Sequence, residues 1–199
     1  MKTMKKLLAA AFISVTALTA CQEEQFADYI NDENFHATVE TFGTGTRTAI
    51  GESLSVVWTS EDRMAIFEGS DKGYAYQVMK TSVGSSFGEF SPVGNLSTEG
   101  SGAAIEGTVA VYPFSEELSV TPDGNGGFVI DGLDFPEEQT YTTGSFSDKA
   151  FPMTAVCENG GKSLSFKNIG GVLRLSLKGD YAVSSITVKG NSGELISGS

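Results

Sequence analysis

One histidine, His36, and two cysteines, Cys21 and Cys157, are the only imidazole and thiol groups in 199 residues. A four-ligand His/Cys metal site is excluded by count. A Ser-His-Asp or Cys-His catalytic arrangement would have to rest on His36, and no G-x-S-x-G elbow is present to supply a serine nucleophile. Positive charge is also scarce: 13 Lys+Arg stand against 25 Asp+Glu, a net charge of -12, and no Lys/Arg cluster follows residue 6. Proteins hold phosphate backbones by displacing counterions with cations, so the nucleic-acid-binding class is set aside. Convincing helical periodicity is missing, and 24 glycines interrupt the chain too often for a coiled coil. The run LLAAAFISVTAL is, at about a dozen residues, too short to span a bilayer comfortably.

What is there points to an exported, folded domain. Hydrophobic residues make up 40% of the chain and aromatics 10%, too apolar for an intrinsically disordered acidic sequence. At this length a single core can bury roughly 70% of the unfolded surface, which favours one domain over two. Lys2, Lys5 and Lys6 precede the apolar run and small residues follow it, the pattern of a secretory signal peptide over residues 1–20. Leu18-Thr19-Ala20-Cys21 resembles the bacterial lipobox, in which the cysteine becomes the lipid-bearing first residue, so Cys21 is the candidate lipidation site. Removing residues 1–20 takes away three lysines and no acid, moving the charge from -12 to -15 over the remaining 179 residues. The following Gln-Glu-Glu-Gln is similar to the acidic tether that sends some lipoproteins of Gram-negative bacteria to the outer face of the outer membrane; an ordinary polar linker has the same composition. With Cys21 acylated, Cys157 has no partner for an internal disulfide and reads as a small buried hydrophobe on a strand.

Residues 21–34 are polar and acidic and read as a tether, leaving residues 35–199 as the folded domain. Period-two alternation marks candidate strands at Phe35 to Thr41, Leu54 to Trp58, Arg63 to Glu68, Tyr74 to Lys80, Ile105 to Tyr112, Gly127 to Asp131, Ala150 to Cys157, Leu164 to Lys167, Val172 to Lys178 and Ser185 to Lys189. Glycine-rich stretches such as 69–73, 99–102, 122–127, 158–161 and 168–171 supply the residues that tight turns require. Many short strands with frequent turns predict an all-β, antiparallel β-sandwich. In VLRLSLK the alternation places Leu173, Leu175 and Leu177 on the core face of one strand, and SSITVKG does the same with Ile186 and Val188.

Few residues carry chemistry. Asp123-Gly-Asn125-Gly-Gly127 begins like a calcium loop, but the sixth position is Phe128 and the twelfth Asp134, so it reads as a hairpin turn and no metal or cofactor is expected. Gly43-Thr-Gly45 lacks the third glycine and the helix of a dinucleotide loop. The adjacent acid pairs Glu116-Glu117 and Glu137-Glu138 stand beside turn residues and read as solvated charge rather than a hydrolytic pair. An enzyme is therefore not expected. Trp58, the single tryptophan, reads as a core or corner residue; exposed, it would suggest a sugar-stacking platform. Asp62 is expected to bond turn backbone or Arg63.

Several segments in order resemble the fimbrillin family: Thr46-Arg47-Thr48, VVWTSEDRMAIF (56–67), VAVYPF (109–114), FPEEQTY (135–141) with AFPMTA (150–155), and LSFKNIGGVLRLSLKG (164–179) leading to ITVKGNSGELISG. The resemblance implies a transthyretin-like, Greek-key β-sandwich in a lipid-anchored outer-membrane protein of the cell surface or fimbrium. It also implies a structural role as subunit, anchor or accessory of a pilus, with adhesion to a host or bacterial surface ligand and other fimbrillin subunits as partners. In that family's life cycle, cleavage after an arginine frees the first strand and a strand of the next subunit replaces it. By position Arg47 is the candidate cleavage site, and Phe35, Ala37, Val39 and Thr41 mark the strand to be displaced. The family's second sandwich domain has no counterpart before Ser199. The alternative is a surface glycan-binding lipoprotein stacking sugars on Trp58 and on exposed Tyr74, Tyr76 or Tyr141.

Overall fold

The computed structural model describes residues 33–40, 56–142, 145–147, 149–173, 175–193 and 196–197. Nine strands and one short 3-10 turn, Lys80–Ser82, make up its regular structure, so the all-β expectation holds. The strands are β1 (Phe35–Val39), β2 (Arg63–Glu68), β3 (Tyr74–Val78), β4 (Phe87–Ser97), β5 (Thr108–Tyr112), β6 (Ser119–Pro122), β7 (Phe128–Asp131), β8 (Met153–Cys157) and β9 (Ser163–Asn168). Seven of them close into a ring in the order β1-β4-β3-β2-β5-β8-β9, and β6-β7 forms a separate hairpin. Every ladder is antiparallel except β1–β9, which runs parallel with Ala37 opposite Leu164 and Val39 opposite Phe166. The sheet is thus mixed and closed, where the alternation alone suggested antiparallel pairing throughout. Alternation fixes which face a side chain takes and carries no information on strand direction.

Burial explains the sequence patterns. In β1 the residues Phe35, Ala37 and Val39 point into the ring, as do Leu164 and Phe166 of β9 and Met153 and Ala155 of β8. β2 and β5 read as continuous apolar runs because both faces are covered: Met64, Ile66 and Ala110 join the interior, while Ala65, Phe67, Val109 and Val111 form a second apolar layer with Leu118 and Val120. Phe128 and Ile130 of the hairpin pack on that outer layer. The hairpin turn is the one expected at 123–127. The Asp123 carboxylate accepts from the Asn125 and Gly127 amides, and Gly124 and Gly126 take the positive φ angles, +78° and +89°, that the turn demands.

Expectation and structure differ in both directions. β6 (Ser119–Pro122) was not expected as a strand, and the expected strand Leu54 to Trp58 shows none over its described residues, 56–58. β4, the longest strand, was not read from the sequence, since Gly88, Pro92 and Gly94 break its apolar pattern and its register against β3 shifts between Tyr74 and Tyr76. Conversely, 172–178 and 185–189 form no strand among the described residues. Leu173, Leu175 and Leu177 stand 65%, 49% and 58% exposed rather than in the core. The reason is closure: β1 occupies the edge of β9, so no ladder position remains beside β9 for a further strand.

Candidate functional site

β1 is held on both sides and along its length. The His36 amide donates to the Lys162 carbonyl at 2.7 Å, the Val39 amide to the Ser86 carbonyl at 3.2 Å, and the Glu40 amide to the Phe166 carbonyl at 3.0 Å. Antiparallel pairing to β4 sets Phe35 opposite Phe90 and Ala37 opposite Gly88. Its inward residues belong to the core: Phe35 and Ala37 are fully buried and Val39 nearly so. Removing β1 would leave a slot between β4 and β9 with two unpaired edges and an apolar floor.

The two ends of the slot differ. At the Phe35 end, the Lys162 ammonium lies 4.1 Å from the centre of the Phe35 ring and pairs with Glu68 at 3.0 Å, while the Tyr76 ring meets Phe35 edge-on at 5.0 Å. Burial, reinforced by the charges of Glu68 and Glu33, pushes the Tyr76 hydroxyl above its ordinary value of 10.0. Asn34 is buried and its amide donates to Glu89 at 2.7 Å, fixing the entry to β1. At the other end the Glu40 carboxylate accepts from the Asn168 amide at 2.8 Å.

Trp58 plugs the ring at the level of Gly88, the residue opposite Ala37. It is 1% exposed and stands edge-on to Phe90, Tyr112 and Phe166 at 5.0, 5.7 and 5.9 Å. The core reading of Trp58 holds, and a sugar-stacking role for its ring is overturned by that burial. A β-carbon built on Gly88 would fall 2.7 Å from Trp58 Cδ1 and 2.7 Å from the Phe90 ring, so the indole lies directly on this glycine. Asp62 locks the plug from outside: it accepts from the Thr59 amide at 2.7 Å, the Thr59 hydroxyl at 3.0 Å and the Tyr112 hydroxyl at 2.9 Å. Above lies a cavity of about 430 Å³ whose walls include Trp58, Arg63, Tyr112 and the stacked rings of Phe146 and Phe151.

Of the other sequence candidates, Tyr74 and Tyr76 share β3 and Tyr141 lies in the segment between β7 and β8. Tyr74 is 47% exposed under the Lys72 ammonium at 5.7 Å, Tyr76 is half-buried at the slot, and Tyr141 is 87% exposed. Cys157 ends β8 as a free, half-buried thiol packed against the core. Among the described residues, no group of three or more His, Cys, Asp or Glu side chains is placed to hold a metal, and no helix is long and apolar enough to cross a membrane. Cys21, Thr41 and Arg47 lie outside the described residues. The pairing of Asn34 with Glu89, the Lys162 cap and the Trp58–Gly88 contact escaped the sequence reading; each joins residues far apart in the chain and leaves no local signal. No known protein family, curated protein or solved structure matches the chain.

Proposed function

We propose that the chain is a fimbrillin-like surface lipoprotein. It is exported by its signal peptide, anchored to the outer membrane through lipid on Cys21, and serves as a structural subunit, anchor or accessory of a pilus. Its partners are other subunits, joined by exchange of the first strand after cleavage at Arg47, and its role in adhesion is to a host or bacterial surface ligand. The finer architecture that goes with this reading is the transthyretin-like Greek-key sandwich. The role is structural, without catalysis or cofactor.

The observation that supports it is the placement of β1: a five-residue strand whose three inward side chains are buried, set between β4 and β9 and parallel to the latter. A strand so short makes few ladder bonds, yet the space it fills is apolar and continuous, which is what β-augmentation by a partner strand requires. Intact mass and N-terminal sequencing of the protein recovered from an outer-membrane surface fraction test the reading. A chain starting at Thr48 is the expected result for a polymerising subunit. An acylated Cys21 retained at the N-terminus discards strand exchange and leaves an uncut surface lipoprotein.

A further inference from the structure

Resting on the strand-exchange reading, we infer that the β1 slot is size-selective. It takes a partner strand whose three alternate inward residues run large aromatic, small, β-branched, and the small central position is imposed by Trp58. In β1 these residues are Phe35, Ala37 and Val39. Ala37 pairs across to Gly88, and both residues are buried on the same inward face. The Trp58 indole and the Phe90 ring already fill the place where a side chain at Gly88 would stand. The volume over Gly88 therefore belongs to Trp58 and Phe90, and the two positions of this cross-strand pair carry small residues, a glycine and an alanine. Overpacking a filled core forces side chains off their rotamers, so a leucine in the central position is rejected.

Phe35 sits in the opposite circumstance. Its ring is enclosed by Tyr76 edge-on and capped by the Lys162 ammonium, a geometry that favours a flat aromatic over an aliphatic residue. Val39 faces Phe166 across the parallel ladder, where a branched side chain fits the pleat. The filter excludes the chain's own alternating segment: Leu173, Leu175 and Leu177 would set a leucine at each of the three positions. The partner strand is consequently not the 172–178 segment of a second copy but one patterned like β1.

The test uses the full-length chain with a site-specific protease sequence placed between Arg47 and Thr48, cut so that β1 remains bound. Three labelled peptides compete for the slot: residues 33–42, the same peptide carrying Ala37→Leu, and residues 171–179. Displacement of the N-terminal fragment is followed by mass spectrometry after gel filtration. The native peptide is expected to exchange, and the other two to bind roughly ten- to a hundredfold more weakly. In Trp58→Ala, or Trp58→Leu should the alanine variant not fold, the Ala37→Leu peptide gains on the native one. The comparison on the native chain decides by itself if neither variant folds. Equal binding of the native and Ala37→Leu peptides overturns the size filter while leaving strand exchange standing. Failure of every peptide to exchange, even under mild denaturant, overturns both.

Discussion

Asp71 shows how a single exposed residue organises a loop. Its carboxylate accepts from the Ser101 hydroxyl at 2.6 Å, the Ser101 amide at 3.0 Å and the Gly102 amide at 2.8 Å, tying the β2–β3 turn to the segment that leads into β5. The Ser101 hydroxyl, followed by the backbone amides of Ser101, Gly102 and Ala103, holds the Asp71 carboxyl below its ordinary value of 3.8. A carboxylate depressed in the folded state contributes its stability above the unfolded value and loses it as the pH falls through the folded one. The clasp is therefore intact at neutral pH and releases on acidification below 3.8. The protection of the Ser101 and Gly102 amides against hydrogen exchange, taken relative to the intrinsic rate at each pH, should fall in Asp71→Ala at pH 7 to the level that the native chain shows only in acid. Unchanged protection in the variant would show that the backbone holds this loop without the carboxylate.

At the scale of elements, the contrast between covered and uncovered alternation is decisive. Leu118, 1% exposed in the outer layer beneath the β6–β7 hairpin, should cost about 2–5 kcal/mol on truncation to alanine, read from urea unfolding. Leu175, 49% exposed, belongs to the class of surface changes that stay within about 0.5 kcal/mol. The same contrast marks how far the sequence could be read. β2 matches its expected range from Arg63 to Glu68, and the cores of β1, β3, β5, β7, β8 and β9 were legible because their inward residues are apolar at every second position or throughout. β4 was not, since what makes it a strand is tertiary: Gly88 is there to admit Trp58, and Pro92 and Gly94 lie where the ladder is irregular. Residues 172–178 were over-read for the converse reason. A strand needs an edge to pair with, and no pattern within seven residues tells whether another strand already holds it. The strand that fills the slot was legible within the expected Phe35 to Thr41, of which Phe35–Val39 is β1, while the Trp58 plug beside it was not.

For the whole molecule, ring closure ties stability to the strand pairing most distant in sequence among the described residues, β1 with β9. Thr38 and Ser165, whose hydroxyls meet at 3.5 Å, are 127 residues apart, and β1–β9 contacts can form only after that loop is closed. β8 and β9, by contrast, are joined by a short turn. Phe35→Ala should thus destabilise by about 3–5 kcal/mol and place nearly all of that in faster unfolding, with the folding rate little changed. A chevron in which the folding limb falls by as much as the unfolding limb rises would instead assign β1 to the folding nucleus.

The parallel β1–β9 ladder also sets an order in time. A ribosome delivers β1 first among the nine strands and β9 last. At about 5–20 residues per second the wait between them is roughly 6–25 s, long against the microseconds in which a hairpin forms. Throughout that interval Phe35 and Val39 have no β9 to cover them, and whatever factor meets the nascent chain has that window in which to hold the first strand apart.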